Sequence, residues 1–110
     1  MKRKNEIERS FDESIAYLLK KHREKTGKSQ DVVAQEAGIS RITLGKWERG
    51  EKTPNSFDLY NVLKAIHSEP SLFWEEMARH FESVAKPLRF AAEQNKIKAY
   101  IERTKKKNGA

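Results

Sequence analysis

Three cations and one aliphatic residue recur at helical spacing in the stretch SRITLGKWERG, residues 40–50. At about 100° per residue, Arg41, Ile42, Gly45, Lys46 and Arg49 fall on one face, and Leu44, Trp47 and Glu48 on the other. The first face has the chemistry of base-edge readout. An arginine can donate two parallel hydrogen bonds to guanine O6 and N7, an aliphatic side chain packs on a thymine methyl, and a lysine reaches a base or a phosphate. Gly45 weakens a helix by about 1 kcal/mol relative to alanine. Here it is either drift or a device that brings the backbone close to a groove wall. Lone surface aliphatics and surface cations are common, so it is the combination, with Ile42 set between Arg41 and Lys46, that points to a groove.

Such a face works only if a scaffold holds it outward. Two short helices in tight succession supply one. Ser29 is the expected cap of the first, with Asp31 in its first turn, and Gly38 closes it. Ser40 caps the second and Gly50 stops it. Gly38 is expected at positive φ, which costs glycine least. Val33, Ala37, Ile39, Leu44 and Trp47 supply buried faces, and Ala34 is small where the two helices approach. Gln30, at the N-terminus of the first helix, stands where free N–H groups and the helix dipole attract a phosphate. Arg49 and Lys52 flank the far end of the second helix, where contacts to phosphate set register without reading sequence.

The rest of the chain reads as helix throughout. FDESIAYLLKKHREKTG carries a stripe of Phe11, Ile15, Leu18 and Leu19, with Ser10 as its expected cap and Asp12 and Glu13 in its first turn. A fourth helix is expected over Ser56–His67, capped by Asn55. A fifth starts near Ser68, with Pro70 tolerated in its first turn. A sixth spans Pro87–Lys105 with a thin stripe of Phe90, Ile97 and Ile101. This divides the chain into a basic and polar arm (1–10), a folded unit (11–82) and a C-terminal helix with a basic tail (83–110).

The chain has 110 residues, a formal charge of +7 and no cysteine. Disulfides and thiolate zinc sites are therefore excluded. No apolar run approaches a membrane span and no signal peptide is evident, so a cytoplasmic protein without membrane contact is expected. The charge is uneven: residues 55–85 carry −3 and residues 86–110 carry +6. A basic excess favours a polyanion partner, but this distribution makes shape matter as well. His22, His67 and His80 have no metal-ligand spacing, and no nucleophile elbow or glycine-rich phosphate cradle occurs. No enzyme, metal or cofactor is expected.

The ordered set Ser29-Gln30, Ala34, Gly38-Ile39-Ser40, Trp47-Glu48-Arg49-Gly50 and Pro54 resembles the Xre/Cro type of helix-turn-helix domain over roughly residues 11–81. The resemblance implies an all-α, five-helix lambda-repressor-like domain, to which this chain adds a C-terminal helix. It implies that Gln30, Arg41, Ile42 and Lys46 face double-stranded DNA, with Thr43 and Arg49 assisting; Ser40 and Lys52 are counted with this set. It also implies a partly buried structural ion pair between Arg23 and Glu48. The expected function is a sequence-specific transcriptional regulator, more readily a repressor than an activator. It would act as a homodimer, because one helix contacts only a few base pairs. The alternative is an antitoxin that binds a cognate toxin and its own promoter; SEPSLFWEEM is similar to an element after the fourth helix in some of these. A controller protein of a restriction–modification system is a third reading.

Overall fold

A computed structural model describes residues 4–108 of the chain. Five helices follow one another: α1 (Glu6–Thr26), α2 (Gln30–Ala37), α3 (Arg41–Glu48), α4 (Ser56–Ala65) and α5 (Pro70–Asn108). No strand occurs among the described residues. No described helix is long and apolar enough to cross a membrane.

Local caps fix the first four helices. The side chains of Asn5, Ser29, Ser40 and Asn55 each accept a backbone N–H three residues on, satisfying donors that a helix start leaves free. Gly38 ends α2 at φ 74° and turns the chain sharply into α3. His67, beyond α4, adopts φ 55° without being glycine.

α1 begins a full turn earlier than its apolar stripe suggests. Asn5, not Ser10, is the cap, accepting the Glu8 N–H at 2.8 Å. Ser10 is buried and its hydroxyl donates to the Glu6 carbonyl at 2.8 Å. The expected arm therefore loses residues 6–10 to the helix. Asp12 is likewise not a solvated first-turn acid. It is 4% exposed and accepts from the Thr53 hydroxyl and the Lys4 ammonium, which ties α1 to the loop before α4.

The core joins all five helices. Ile15, Leu18 and Leu19 of α1 meet Val33 and Ala34 of α2, Leu44 and Trp47 of α3, Val62 and Leu63 of α4 with its C-terminal cap Ile66, and Phe73 and Met77 of α5. α1 packs on α3 and α5, and α2 on α3 and α4. Full burial of each large aliphatic or aromatic contributes about 1.5–3 kcal/mol, which is what holds the short helices α2 and α3 in place.

The expected fifth and sixth helices form one helix of 39 residues that runs through Pro87. Proline there removes one N–H and leaves the Ser83 carbonyl without its intrahelical donor. Both Ser83 and Pro87 are exposed, so water can satisfy that carbonyl. Good helix formers surround the proline, and Arg89 reaches back across it to Glu82 at 2.9 Å and over the Phe81 ring at 5.6 Å. The extra C-terminal helix is thus a continuation of α5.

Candidate nucleic-acid interface

α3 is held from behind. Leu44 and Trp47 are 0% and 3% exposed, and the Glu48 side chain is 3% exposed. Two nitrogens of Arg23 grip the Glu48 carboxylate, Nε to Oε2 at 2.7 Å and Nη2 to Oε1 at 2.9 Å. The remaining terminal nitrogen, Nη1, donates to the Lys28 carbonyl at 3.0 Å. A bidentate charge-assisted pair of this kind is strong and directional. Its hydrogen bonds, and then the Glu48 charge, raise the Arg23 pKa above its ordinary value despite burial. The pair pins the end of α3 to α1 and the α1–α2 turn, as the family resemblance implied.

The opposite face is open at its start. Ser40 and Arg41 are exposed, and Ile42 is 71% exposed. The Ser40 oxygen accepts the Thr43 N–H at 3.0 Å, and the Ser40 and Thr43 hydroxyl oxygens lie 2.8 Å apart. Thr43 and Lys46 are half-buried, and Lys52 is exposed. Arg41, Ile42 and Lys46 therefore lie on the side of α3 away from Leu44 and Trp47, as the wheel requires.

Three details depart from the expected picture. Gln30 does not stand free at the start of α2: its amide donates to Glu48 Oε1 at 3.1 Å, joining the buried pair to the outer face. Gly45 is covered, because Arg49 folds back over it. A Cβ built at Gly45 would meet Arg49 Nη1 at 3.0 Å. Arg49 itself pairs with Glu51 at 2.8 Å. That hydrogen bond raises the Arg49 pKa and lowers the Glu51 pKa.

Two acids, whose pairing sequence reasoning did not foresee, thus engage two of the three cations of the face. Glu51 occupies Arg49, and Asp31 lies 3.5 Å from Arg41 Nε. The available signal was positional. Asp31, in the first turn of α2, sits across the tight turn from the first residue of α3, and Glu51 lies two residues beyond Arg49. Both pairs are largely exposed, and exposed pairs contribute little. A polyanion can therefore displace them cheaply.

Five helices, a tight α2–turn–α3 unit and an outward cationic face on α3 define a lambda-repressor-like helix-turn-helix protein of the DNA-binding regulator class. The helix-turn-helix family HTH_3 matches residues 19–73, and the chain belongs to that family. None of the curated proteins matches it. Among solved structures, the wild-type restriction–modification controller protein C.Esp1396I superposes with a TM-score of 0.59 at 18% identity, covering 64% of this chain and 92% of that one. The tetramer of the same controller with its natural 35-base-pair operator gives 0.59 at 18% identity, covering 64% and 93%. An HTH_3 family transcriptional regulator from Vibrio cholerae gives 0.57 at 34% identity, covering 62% of this chain and 38% of that one. The likeness to the controller proteins is one of fold.

Proposed function

We propose that this protein is a sequence-specific, double-stranded-DNA-binding repressor that works in the cytoplasm as a homodimer, with α3 in the major groove and residues 11–82 as the binding unit. The observation that carries the reading is the split character of α3. One face is locked by Leu44, Trp47 and the Arg23–Glu48 pair, while Arg41 and Ile42 project into solvent beside Lys46. Arg41 and Lys46 read base edges, and Ile42 packs on a thymine methyl. Ser40, Thr43, Arg49 and Lys52 hold phosphates around them. Gln30, fixed by Glu48, positions α2 against the backbone. A two-fold dimer sets its recognition helices about 34 Å apart, one helical turn of DNA. A controller protein of this fold binds its 35-base-pair operator as a tetramer, which supports the oligomeric reading.

Fluorescence anisotropy with labelled duplexes tests this. Affinity should fall steeply with salt, with a log–log slope of about −0.9 for each phosphate neutralised. Lys52→Ala should weaken binding evenly on all sequences and reduce the slope by about 1. Binding that ignores salt, or that prefers single strands, contradicts the proposal.

One observation favours a second reading, the antitoxin. An apolar cleft of about 390 Å³ lies between α1, α4 and the start of α5, and its rim residues Tyr60 and Trp74 are 46% and 50% exposed. A toxin seated there would protect Trp74 from solvent, which its fluorescence would report. An unrelated gene neighbourhood favours the plain regulator.

A further inference from the structure

The outer half of α5 has no partner within the chain. At 1.5 Å per residue, the helix is about 58 Å long, and the longest dimension of the protein is 67 Å. Its inner surface is covered only as far as Leu88: Ala85 is fully buried, Leu88 is half-buried, and beyond it Ala92 lines the edge of a shallow groove with the cap residue Asn5 and with Glu6 and Ile7 of α1. Every residue from Arg89 to Lys107 is exposed. Packing of an apolar face supplies most helical stability in proteins, and this stretch leaves Phe90, Ile97 and Ile101 at 66%, 46% and 47% exposure.

These three residues lie on the side of α5 opposite Ala85 and Ala92. Their spacing is that of a heptad seam, with Gln94 and Ile101 at the a positions and Phe90 and Ile97 at the d positions. The basic residues do not interrupt the seam. Lys96 and Arg103 lie on one flank, and Lys98 and Lys105 on the other. In the same frame Glu93 is at g and Lys98 is at the following e, the spacing that pairs opposite charges between two parallel, in-register strands. An antiparallel pair would instead align e with e and set the lysines together. A single polar residue at an a position, here Gln94, fixes register at some expense in stability.

We propose that residues 89–105 of α5 form a short parallel two-stranded coiled coil with a second copy of this chain. Phe90, Ile97 and Ile101 fill its seam, and Glu93 of each strand pairs with Lys98 of the other. This deepens the homodimer within the proposed function and rests on it. It places the dimer contact on the outer part of α5, away from α3.

Sedimentation equilibrium of the full chain across a concentration series tests the proposal. The wild type should show twice the chain mass. Ile97→Lys should be monomeric while keeping the wild-type thermal melt of the core, since Ile97 is exposed and lies outside the buried core cluster. Glu93→Lys should weaken the dimer about tenfold, and adding Lys98→Glu should restore it, because each strand then offers the opposite charge again. The chain has no cysteine, so Ile101→Cys should form a disulfide-linked dimer in air, and Ala99→Cys, on the far side of the helix, should not. A wild type that stays monomeric, a double variant no better than Glu93→Lys, or crosslinking at position 99 but not 101 would overturn the coiled coil. Anisotropy on the same samples separates the two ideas. Duplex binding by a strictly monomeric protein refutes the coil and the homodimer but leaves DNA binding standing, and a crosslinked dimer that ignores DNA refutes the DNA reading alone.

Discussion

Removing either partner of the Arg23–Glu48 pair should cost a substantial share of the domain's stability. The Arg23 and Glu48 side chains are 13% and 3% exposed, so neither survivor can turn to water. Breaking a buried pair costs about 3–5 kcal/mol. The lower end applies here, because each survivor keeps one neutral partner: the Gln30 amide for Glu48 and the Lys28 carbonyl for Arg23. About 3 kcal/mol, against the 5–15 kcal/mol typical of a domain, lowers Tm by about 12–24 °C. Urea denaturation and thermal melts of Arg23→Ala, Glu48→Ala and the double variant form a cycle. The double variant should be more stable than the sum of the single losses predicts, by about 2 kcal/mol, because it leaves no charge stranded. Single variants within about 0.5 kcal/mol of wild type, or strictly additive losses, would refute the claim that this pair anchors α3.

Three further outcomes follow from the same geometry. Gly45→Ala should raise stability by about 0.5–1 kcal/mol by helix propensity, since only the flexible end of Arg49 must move; a lower Tm would show that the site is tighter than this. Glu51→Gln frees Arg49 from its exposed pair, so duplex binding in low salt should tighten a few-fold on all sequences alike, and an unchanged Kd counts against a phosphate role for Arg49. Glu76 is desolvated, yet its hydrogen bond to His22 and the charges of His22 and Lys21 lower its pKa below the ordinary 4.5. A carboxylate lowered on folding adds stability above its unfolded pKa and loses it as the pH falls through the folded value. Chemical denaturation below about pH 4.5 should therefore lose stability less steeply in Glu76→Gln than in wild type, and parallel curves would contradict this.

What was legible in the sequence was what neighbouring residues decide. Ser29, Gly38 and Ser40 mark the α2–α3 turn by local capping and backbone freedom, and the wheel over residues 41–49 placed Leu44, Trp47 and Glu48 inward because an eight-residue helix has one simple period. The start of α1 was harder, because Asn5 competes with Ser10 for the cap and only the packed helix decides between them. Pro87 reads locally as a helix start, and its continuation through α5 depends on the exposed side on which Ser83 loses its donor. The remaining misses are long-range. Asp12 with Thr53, Gln30 with Glu48, and His22 between Ser68 and Glu76 are joined across 18 to 54 positions, and no periodicity encodes such contacts. The covering of Gly45 by Arg49 lies within one turn, but it depends on which way a long side chain folds.

The most direct test of the outward face of α3 is selection of bound duplexes from a randomised library, run in parallel for wild type and Arg41→Ala. The wild type should enrich two related half-sites about one helical turn apart, and Arg41→Ala should lose preference at one base pair in each half-site while still binding duplex. An unenriched wild-type pool, or an Arg41→Ala pool with the same base preferences as wild type, would contradict the assignment of Arg41, Ile42 and Lys46 to base readout.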